Sequence, residues 1–263
     1  MKVIVVNDFA FVNGGASQVA VTTAKLLAKK GHRVIFFSAV GPIGQELKGV
    51  QNLSVVCLNQ KDILRDPNRL RAVFQGLWNF HAAKFFSSIL SDCSPGDTII
   101  HIHAISKSLS SSIISVAKNK GFRIVYHLHD YGIACPNLGF YDYQKDEICP
   151  RKAMGISCMM CHCDSRSILH KGWRVLRQFV QYYLGGLPND IDAMIYISEF
   201  SRHILEPYFA AGQRLFFLSN LLSVERAERI QAEKNQVFLF VGRFAPEKAP
   251  DLFARAVARL SIP

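Results

Sequence analysis

The sequence has no hydrophobic run long enough to cross a membrane, since no stretch approaches the roughly 18 apolar residues that a spanning helix needs. The apolar residues at positions 3–6 are also too few for the core of a secretion signal. Acidic residues are scarce, with 20 Asp and Glu against 31 Lys and Arg, which gives a formal charge of +11. This excess favours an anionic partner: a phosphorylated small molecule, an acidic lipid or a nucleic acid. We therefore expect a cytoplasmic protein that can touch an anionic membrane from its inner face.

Proline and glycine are also modest in number, at 10 and 17 residues, which excludes a collagen-like or linker-dominated chain. A hydrophobic content of 49% against 19% charged residues excludes disorder. Nucleic-acid binding would rest on charge alone, because no interleaving of aromatic and basic residues accompanies it. We expect no nucleic-acid partner.

The seven cysteines, without an export signal, point to free thiols or a metal site instead of a disulfide scaffold.

Short β-branched segments alternate with longer segments of helical period, which is the pattern of a parallel sheet covered by helices. The predicted fold class is α/β, a Rossmann-like parallel sheet with helices on both faces. We predict strands at 2–7, 33–38, 53–58, 98–103, 123–128, 193–198 and 214–218. We predict helices at 16–30, 68–90, 106–120, 166–184, 199–209 and 247–260.

Composition divides the chain into two unequal parts. Residues 1–222 are predicted to form one Rossmann-like domain that includes a cysteine-rich loop at 131–165, and residues 223–235 read as a polar linker. Residues 236–263 begin with an apolar segment, 237–241, which predicts a buried parallel strand before the last helix. One strand and one helix cannot bury enough apolar surface to fold alone. We therefore expect 236–263 to be the incomplete start of a second Rossmann-like domain.

Two glycines, Gly14 and Gly15, stand between the first predicted strand and the first predicted helix. Glycine lets the backbone approach a ligand, and the free N–H groups of a helix N-terminus can bind an anion. A flexible turn is the alternative. The segment lacks a G-x-G-x-x-G motif, and no acidic residue follows the second strand to bind a ribose. We therefore do not expect binding of a nicotinamide dinucleotide.

Two H-x-H pairs occur at the ends of neighbouring predicted strands: His101 with His103, and His127 with His129. Residues two apart on a strand share a face, and ligands bind at the carboxyl ends of strands in open α/β sheets. The pairs could ligate a metal, but packed or surface histidines are the interpretation we favour, with His129 open to a role as base or donor. His81, on the apolar face of the helix predicted at 68–90, is expected in the core.

Five of the seven cysteines cluster in the loop 131–165. A C-x-x-C pair joined by two more thiolates could hold a structural zinc in tetrahedral geometry, which would stabilise a loop without its own core. Free thiols and disulfides are the alternatives. The residues predicted for such a zinc site are Cys135, Cys149, Cys158 and Cys161.

The segment 166–184 predicts an amphipathic helix with basic residues, since Leu169, Trp173 and Leu176 lie along one stripe with Arg174 and Arg177 beside it. Such a helix can lie in an anionic membrane interface. The alternative that we favour is a helix packed on the domain with its basic face in solvent.

The strongest motif comes last, where Arg243 and Lys248 follow the apolar segment 237–241. They would converge at the carboxyl end of a strand, beside a helix N-terminus. Two cations at such a place are suited to a diphosphate. Solvated surface charges are the alternative.

Three stretches together resemble glycosyltransferase family 4, whose members have the two-domain GT-B fold. They are Asn13-Gly14-Gly15-Ala16 through Lys30-Gly31-His32-Arg33-Val34, then His129-Asp130-Tyr131 with Cys135-Pro136, and Val241-Gly242-Arg243 with Pro246-Glu247-Lys248. The resemblance covers nearly the whole chain in order: an acceptor domain, then the first strand and helix of a donor domain.

The resemblance implies that a sugar is transferred from a nucleotide-diphosphate sugar to a hydroxyl group, with retention of anomeric configuration and without a catalytic metal. The acceptor would be a sugar or a lipid-linked molecule, in cell-surface or lipid-linked glycan synthesis. The residues implied for catalysis are His129, Arg243 and Lys248. Those implied for donor binding are Gly14, Gly15, Arg243 and Lys248, and those on the acceptor side are Asp130, Tyr131 and His103.

The chain departs from the family pattern in two places. Ser17 and Gln18 stand where an acidic or basic pair is common. The pair of glutamates that holds the donor sugar and ribose in the family is expected beyond Pro263, together with the base-binding pocket. The alternative function is therefore a catalytically incomplete module that binds an acceptor or a membrane.

Overall fold

The structure is a computed structural model, and it describes residues 1–221, 228–235, 237–242 and 244–260. Its strands are β1 (Lys2–Asn7), β2 (Arg33–Ser38), β3 (Leu53–Cys57), β4 (Thr98–Ala104), β5 (Arg123–Leu128), β6 (Tyr141–Asp142), β7 (Glu147–Ile148), β8 (Ala193–Tyr196) and β9 (Leu215–Phe217). Seven of them form one parallel sheet in the order β3-β2-β1-β4-β5-β8-β9. The short strands β6 and β7 form an antiparallel pair within the cysteine-rich loop.

The sheet confirms the predicted fold class. β1, β2 and β5 have the predicted bounds, and the other four strands of the sheet begin and end within two residues of them. The helices are α1 (Gly15–Lys29), α2 (Arg69–Leu77), α3 (Phe80–Ser91), α4 (Ser112–Asn119), α5 (Ile156–Met160), α6 (Ile168–Tyr183), α7 (Glu199–Leu205) and α8 (Pro250–Ala258). Within the described residues, no helix has the length and apolar character that crossing a bilayer requires.

Both faces of the sheet are covered, as predicted. On one face, α1 packs against β1, β2 and β4, and its Val21 lies in a core with Val5 and Phe36. On the other face, α3 and α4 pack together and supply Phe86 and Ile113 to a second core. Successive strand residues point to opposite faces, so the apolar runs of the central strands supply both cores.

The single helix predicted at 68–90 is two helices, because the backbone of Trp78 is extended between α2 and α3. Asn79 explains the break: its side chain accepts a bond from Ala82 N at 2.9 Å and donates to Ser108 O at 2.6 Å. A capping asparagine competes with helix continuation at such a point. His81, predicted in the core, is exposed instead on α3, where its ring lies 4.7 Å from that of Phe85.

Two other predicted helices are shorter than expected. The helix predicted at 106–120 begins at Ser112, because residues 107–109 donate their backbone N–H groups to the Asp8 carboxylate. The helix predicted at 199–209 is α7 followed by a single 3-10 turn, Glu206–Tyr208.

α6 contradicts the packing that we favoured for it. The polar side chains Lys171, Arg177 and Gln178 are buried, whereas Leu169 is 82% exposed and Leu176 is 50% exposed. The polar face therefore packs on the domain, and most of the apolar face points to solvent. The cause is the surface beneath the helix, which consists of irregular backbone with carbonyl groups that need donors.

The C-terminal segment differs from the predicted start of a second sheet. Residues 237–241 are not in a strand, and Leu239 and Val241 are 78% and 83% exposed. Among the described residues, no strand pairs with this segment, and a lone strand has no partner for its backbone hydrogen bonds. The predicted helix is present in part, as a 3-10 turn at Pro246–Lys248 and as α8. The division of the chain into two domains stays a prediction.

Candidate active site

The site lies at the edge of the sheet where the central strands end. The strand order reverses direction between β1 and β4, and open α/β sheets bind ligands outside the carboxyl ends of the strands at such a point. The polar residues that follow β1, β4 and β5 share this edge because those strands are neighbours in the sheet and run parallel.

Four histidines form a cluster of neighbouring rings, which we call the histidine cluster: His101 and His103 on β4, His127 on β5 and His129 just beyond β5. The ring centroids of His101 and His103 lie 4.3 Å apart, those of His103 and His127 lie 5.0 Å apart, and those of His127 and His129 lie 4.1 Å apart. The first three side chains are buried and His129 is half-buried. Three of the four rings are therefore packed in the interior, and whether they also ligate a metal stays open at this point.

His129 is the member of the cluster nearest to solvent. Its Nε2 lies 2.9 Å from Nδ1 of His103, and its ring stacks on that of His127 at an interplanar angle of 10°. Burial, followed by the neighbouring imidazoles of His127 and His101, lowers the pKa of His129 to about 3. At neutral pH this ring is therefore uncharged, and it can accept or donate a hydrogen bond without adding positive charge to the site.

Asp130 and Tyr131 follow His129 in a turn. Asp130 Oδ1 accepts a hydrogen bond from Gly132 N at 2.8 Å, and desolvation by the surrounding protein raises the pKa of Asp130. Tyr131 is half-buried, with its ring 5.4 Å from that of Phe140. The turn therefore holds a carboxyl and a phenol at the two positions that follow His129 in the chain.

A small cavity of about 20 Å³ lies beside these residues, which is space for about one water molecule. Its lining includes His103, Tyr126, Asp130 and the buried Arg177. Burial, followed by the charge of Arg174, lowers the pKa of Arg177 to about 10. Arg177 Nη1 donates to Ser106 O at 3.1 Å, so this guanidinium links α6 to the loop after β4.

Asp8 is a residue of the site that the sequence analysis missed. Its carboxylate accepts backbone N–H groups from Lys107, Ser108 and Leu109 at 2.8–2.9 Å. Burial outweighs these bonds and raises the pKa of Asp8 to about 6. The sequence offered one indication of its role: Asp8 is a carboxylate that directly follows the apolar first strand. Asp8 ties the end of β1 to the loop after β4, and so fixes the edge at which the histidines lie.

Gly14 and Gly15 form the open start of α1. Gly14 has φ +98° and ψ −179°, a conformation that is restricted almost entirely to glycine. Among the residues that the structure describes, no atom lies within 4 Å of a Cβ built on either glycine, and no side chain caps the helix. The first N–H groups of α1 are therefore free to meet an anion, as the donor-binding prediction requires.

The two predicted cations, Arg243 and Lys248, follow the apolar segment 237–241 in the sequence. Arg243 lies outside the described residues. Lys248 is exposed at the end of the 3-10 turn, and across the described ranges no hydrogen bond or ion pair connects it to the histidine cluster. Their role in binding a diphosphate stays a prediction.

The cysteine-rich loop holds five free thiols, of which Cys135, Cys158 and Cys163 are buried. The buried Lys171 of α6 approaches Cys158, with Nζ 3.6 Å from Sγ. Burial raises the pKa of Cys135, which keeps this thiol protonated at neutral pH. The structural zinc predicted for the loop stays a prediction.

In the part of the chain that the structure describes, one group of three or more histidine, cysteine or acidic side chains brings its ligand atoms within 4.8 Å of one another. It consists of His101, His103 and His127. Three ligand atoms placed in this way could hold a metal ion.

Neither a protein-family profile nor a curated protein matches the sequence. Among solved structures, the chain is similar to Phytolacca americana UGT2 complexed with UDP-2fluoro-glucose and pterostilbene, with a TM-score of 0.50 and 10% sequence identity over 85% of this chain and 55% of that one. A UDP-glucosyltransferase from Polygonum tinctorium matches with a TM-score of 0.46 and 14% identity, over 85% and 53% of the two chains.

The chain thus spans about half the length of the structures that it matches. At these identities the similarity concerns the fold alone, and it confirms the Rossmann-like sheet that occurs in GT-B glycosyltransferases. The assignment to family 4 stays a prediction.

Proposed function

We propose that the chain is the acceptor-side half of a glycosyltransferase, which transfers a sugar from a nucleoside-diphosphate sugar to a hydroxyl group with retention. The observation that carries the proposal is the half-buried imidazole of His129 at the carboxyl end of β5, on the sheet edge at which the uncapped N-terminus of α1 follows β1. A fold similar to that of a protein complexed with UDP-2fluoro-glucose supports it.

The chemistry requires two kinds of group. In the transition state the sugar becomes positive and the leaving diphosphate becomes more negative, so fixed positive dipoles and cations at the phosphates accelerate the reaction. We assign the diphosphate to the N–H groups behind Gly14 and Gly15, together with Arg243 and Lys248. We assign the neutral imidazole of His129 to the transferring sugar, and Asp130 to the acceptor hydroxyl.

The test is release of nucleoside diphosphate from a panel of nucleotide sugars, with sugar and lipid-phosphate acceptors. A His129→Asn variant should lose about 10²-fold in transfer, the usual contribution of a positioned acid, base or donor group. The exposed His81, replaced by Asn, serves as the matched control and should retain transfer. Equal rates for the two variants would remove the role of His129, and no turnover with any sugar would favour the catalytically incomplete binding module.

Retention is tested separately, by the anomeric configuration of the first product in proton NMR spectra. The product should have the configuration of the donor sugar. The opposite configuration would overturn retention and leave transfer standing.

We further propose that the acceptor is lipid-linked and is met at an anionic membrane. The supporting observation is an apolar surface on α2 and α6, which we call the α2–α6 surface; its exposed members are Leu70, Phe74, Leu169, Leu176 and Tyr183. The two helices pack together, and the Nε1 of Trp173 donates to Val73 O at 3.3 Å. Exposed large apolar side chains in such a group mark an interaction site.

Positive charge lies beside the α2–α6 surface. Arg69 begins α2, Arg174 lies on α6 and is paired with Asp164, and Nη1 of Arg166 lies 3.5 Å from Nε2 of His170 on α6. Apolar side chains flanked by basic ones are the arrangement that binds anionic lipid interfaces.

Binding to vesicles of phosphatidylglycerol and phosphatidylcholine tests this proposal. The wild-type chain should co-sediment with anionic vesicles, and less so as salt is added. Leu169→Asn combined with Phe74→Asn should reduce binding at least about 10-fold, whereas Leu26→Asn on α1 should not. Absence of vesicle binding, or equal binding by these variants, would contradict a membrane role for the surface.

A further inference from the structure

The histidine cluster has more ring nitrogens without a hydrogen-bond partner than is usual for side chains packed in a protein core. Nε2 of His101, Nε2 of His103 and both ring nitrogens of His127 are buried without a hydrogen-bond partner in the described part of the chain. The three side chains are only 8%, 2% and 1% exposed. A buried polar atom without a partner destabilises the fold, so several at one point indicate a missing ligand.

The geometry identifies the ligand class. One ring nitrogen from each of His101, His103 and His127 lies within 4.8 Å of the other two. These side chains come from adjacent parallel strands and point to one face of the sheet, so rigid elements hold them together. We propose that His101, His103 and His127 bind one divalent transition-metal ion of the zinc type. Three imidazoles are a donor set that suits Zn²⁺ and neighbouring metals, and does not suit Mg²⁺ or Ca²⁺.

His129 would then lie directly beside the metal site. Nδ1 of His103 is 2.9 Å from Nε2 of His129. A metal on Nε2 of His103 would leave its Nδ1 protonated and donating to His129, as metal-bound histidines donate through their second nitrogen. The metal would thereby fix which nitrogen of His129 accepts a hydrogen bond. Binding of the ion does not rest on the proposed transfer reaction and would stand if that reaction failed.

The first experiment measures metal content and affinity. Chain purified with micromolar Zn²⁺ and passed over a desalting column should retain one equivalent at this site by elemental analysis. His101→Asn and His127→Asn should each lower zinc affinity at least about 10-fold. The exposed His81, replaced by Asn, is the matched control and should bind as the wild type does.

A cysteine site could also take zinc, so Cys158→Ser is included to separate the two. Retention of one equivalent by Cys158→Ser supports the histidine site. Loss of all zinc from Cys158→Ser, with full retention by His101→Asn, would overturn it, as would the absence of bound zinc from the wild type.

A second measurement uses no histidine variant, so its result does not depend on whether such a variant folds. The zinc K-edge absorption spectrum of the Cys158→Ser chain should show nitrogen neighbours at about 2.0 Å with imidazole scattering. Sulfur neighbours at about 2.3 Å would contradict the proposal.

Discussion

The two longest helices of the molecule bury opposite faces. α1 places Val21 and Ala24 against the sheet, where both are shielded from solvent. α6 places Lys171, Arg177 and Gln178 inward and leaves Leu169 in solvent. Both helices are amphipathic, so the pattern of apolar residues identifies each of them as a helix. The pattern of apolar residues does not predict which face of the helix is buried. That depends on the surface against which the helix packs.

Those surfaces differ in their backbone hydrogen bonds. The strands beneath α1 satisfy their backbone groups by pairing with each other, and they present apolar side chains to the helix. The segments beneath α6 are irregular, and their carbonyl groups accept from its side chains: Ser106 O from Arg177, and Gly132 O from Gln178. Because buried carbonyl groups need donors, a polar helix face fits there and an apolar one does not.

The largest effect that the comparison predicts comes from one polar substitution at each helix. Val21→Asn in α1 should cost about 3 kcal/mol of unfolding free energy, because it removes apolar burial and leaves an amide without partners. Leu169→Asn in α6 should change the unfolding free energy by less than about 0.5 kcal/mol, since that side chain is already in solvent. Urea unfolding followed by circular dichroism measures both values.

Each variant is the control for the other, as both place asparagine at an apolar position of a long helix. A cost above about 2 kcal/mol at Leu169 would mean that the apolar face of α6 is covered in solution, and the inverted packing would then be wrong. Such a result would also remove the free surface on which the proposed membrane contact depends.

The sheet could be predicted from the sequence because its strands are buried on both faces and read as apolar runs with polar ends. β1, β2 and β5 were predicted residue for residue. The apolar segment 237–241 has the same appearance but is not a strand, and none of the described residues forms a strand that pairs with it. A local pattern carries the tendency to form a strand, whereas pairing is a property of the tertiary structure.

The candidate site could be predicted less completely. His129 and Asp130 could be predicted because they follow β5, and ligands bind at the edge where the carboxyl ends of parallel strands meet. Asp8 and Arg177 were missed as site residues because their importance comes from contacts about 100 and about 71 positions away along the chain. Local sequence patterns do not predict contacts between residues so far apart in the chain.

The smaller predicted effect tests the polar contacts of α6 directly. Gln178 is fully buried, and its Nε2 donates to Gly132 O and Ile133 O, both at 3.2 Å. Gln178→Met keeps the length of the side chain but leaves two carbonyl groups without this donor, which should cost about 1–3 kcal/mol. The matched change on α1, Gln18→Met, removes only a half-exposed contact with Thr22 and should cost less than about 0.5 kcal/mol.

Hydrogen exchange adds a readout that overall stability does not supply. In Gln178→Met, the backbone amides of residues 132–135 should exchange faster while those of β1 do not, because the lost donor faces the loop and not the sheet. Equal costs for the two methionine variants, or unchanged exchange in the loop, would mean that the buried amide of Gln178 is not what holds α6 to the loop. The burial of its polar face would then depend on Lys171, which reaches Cys158, and on Arg174, which reaches Asn137 and Asp164.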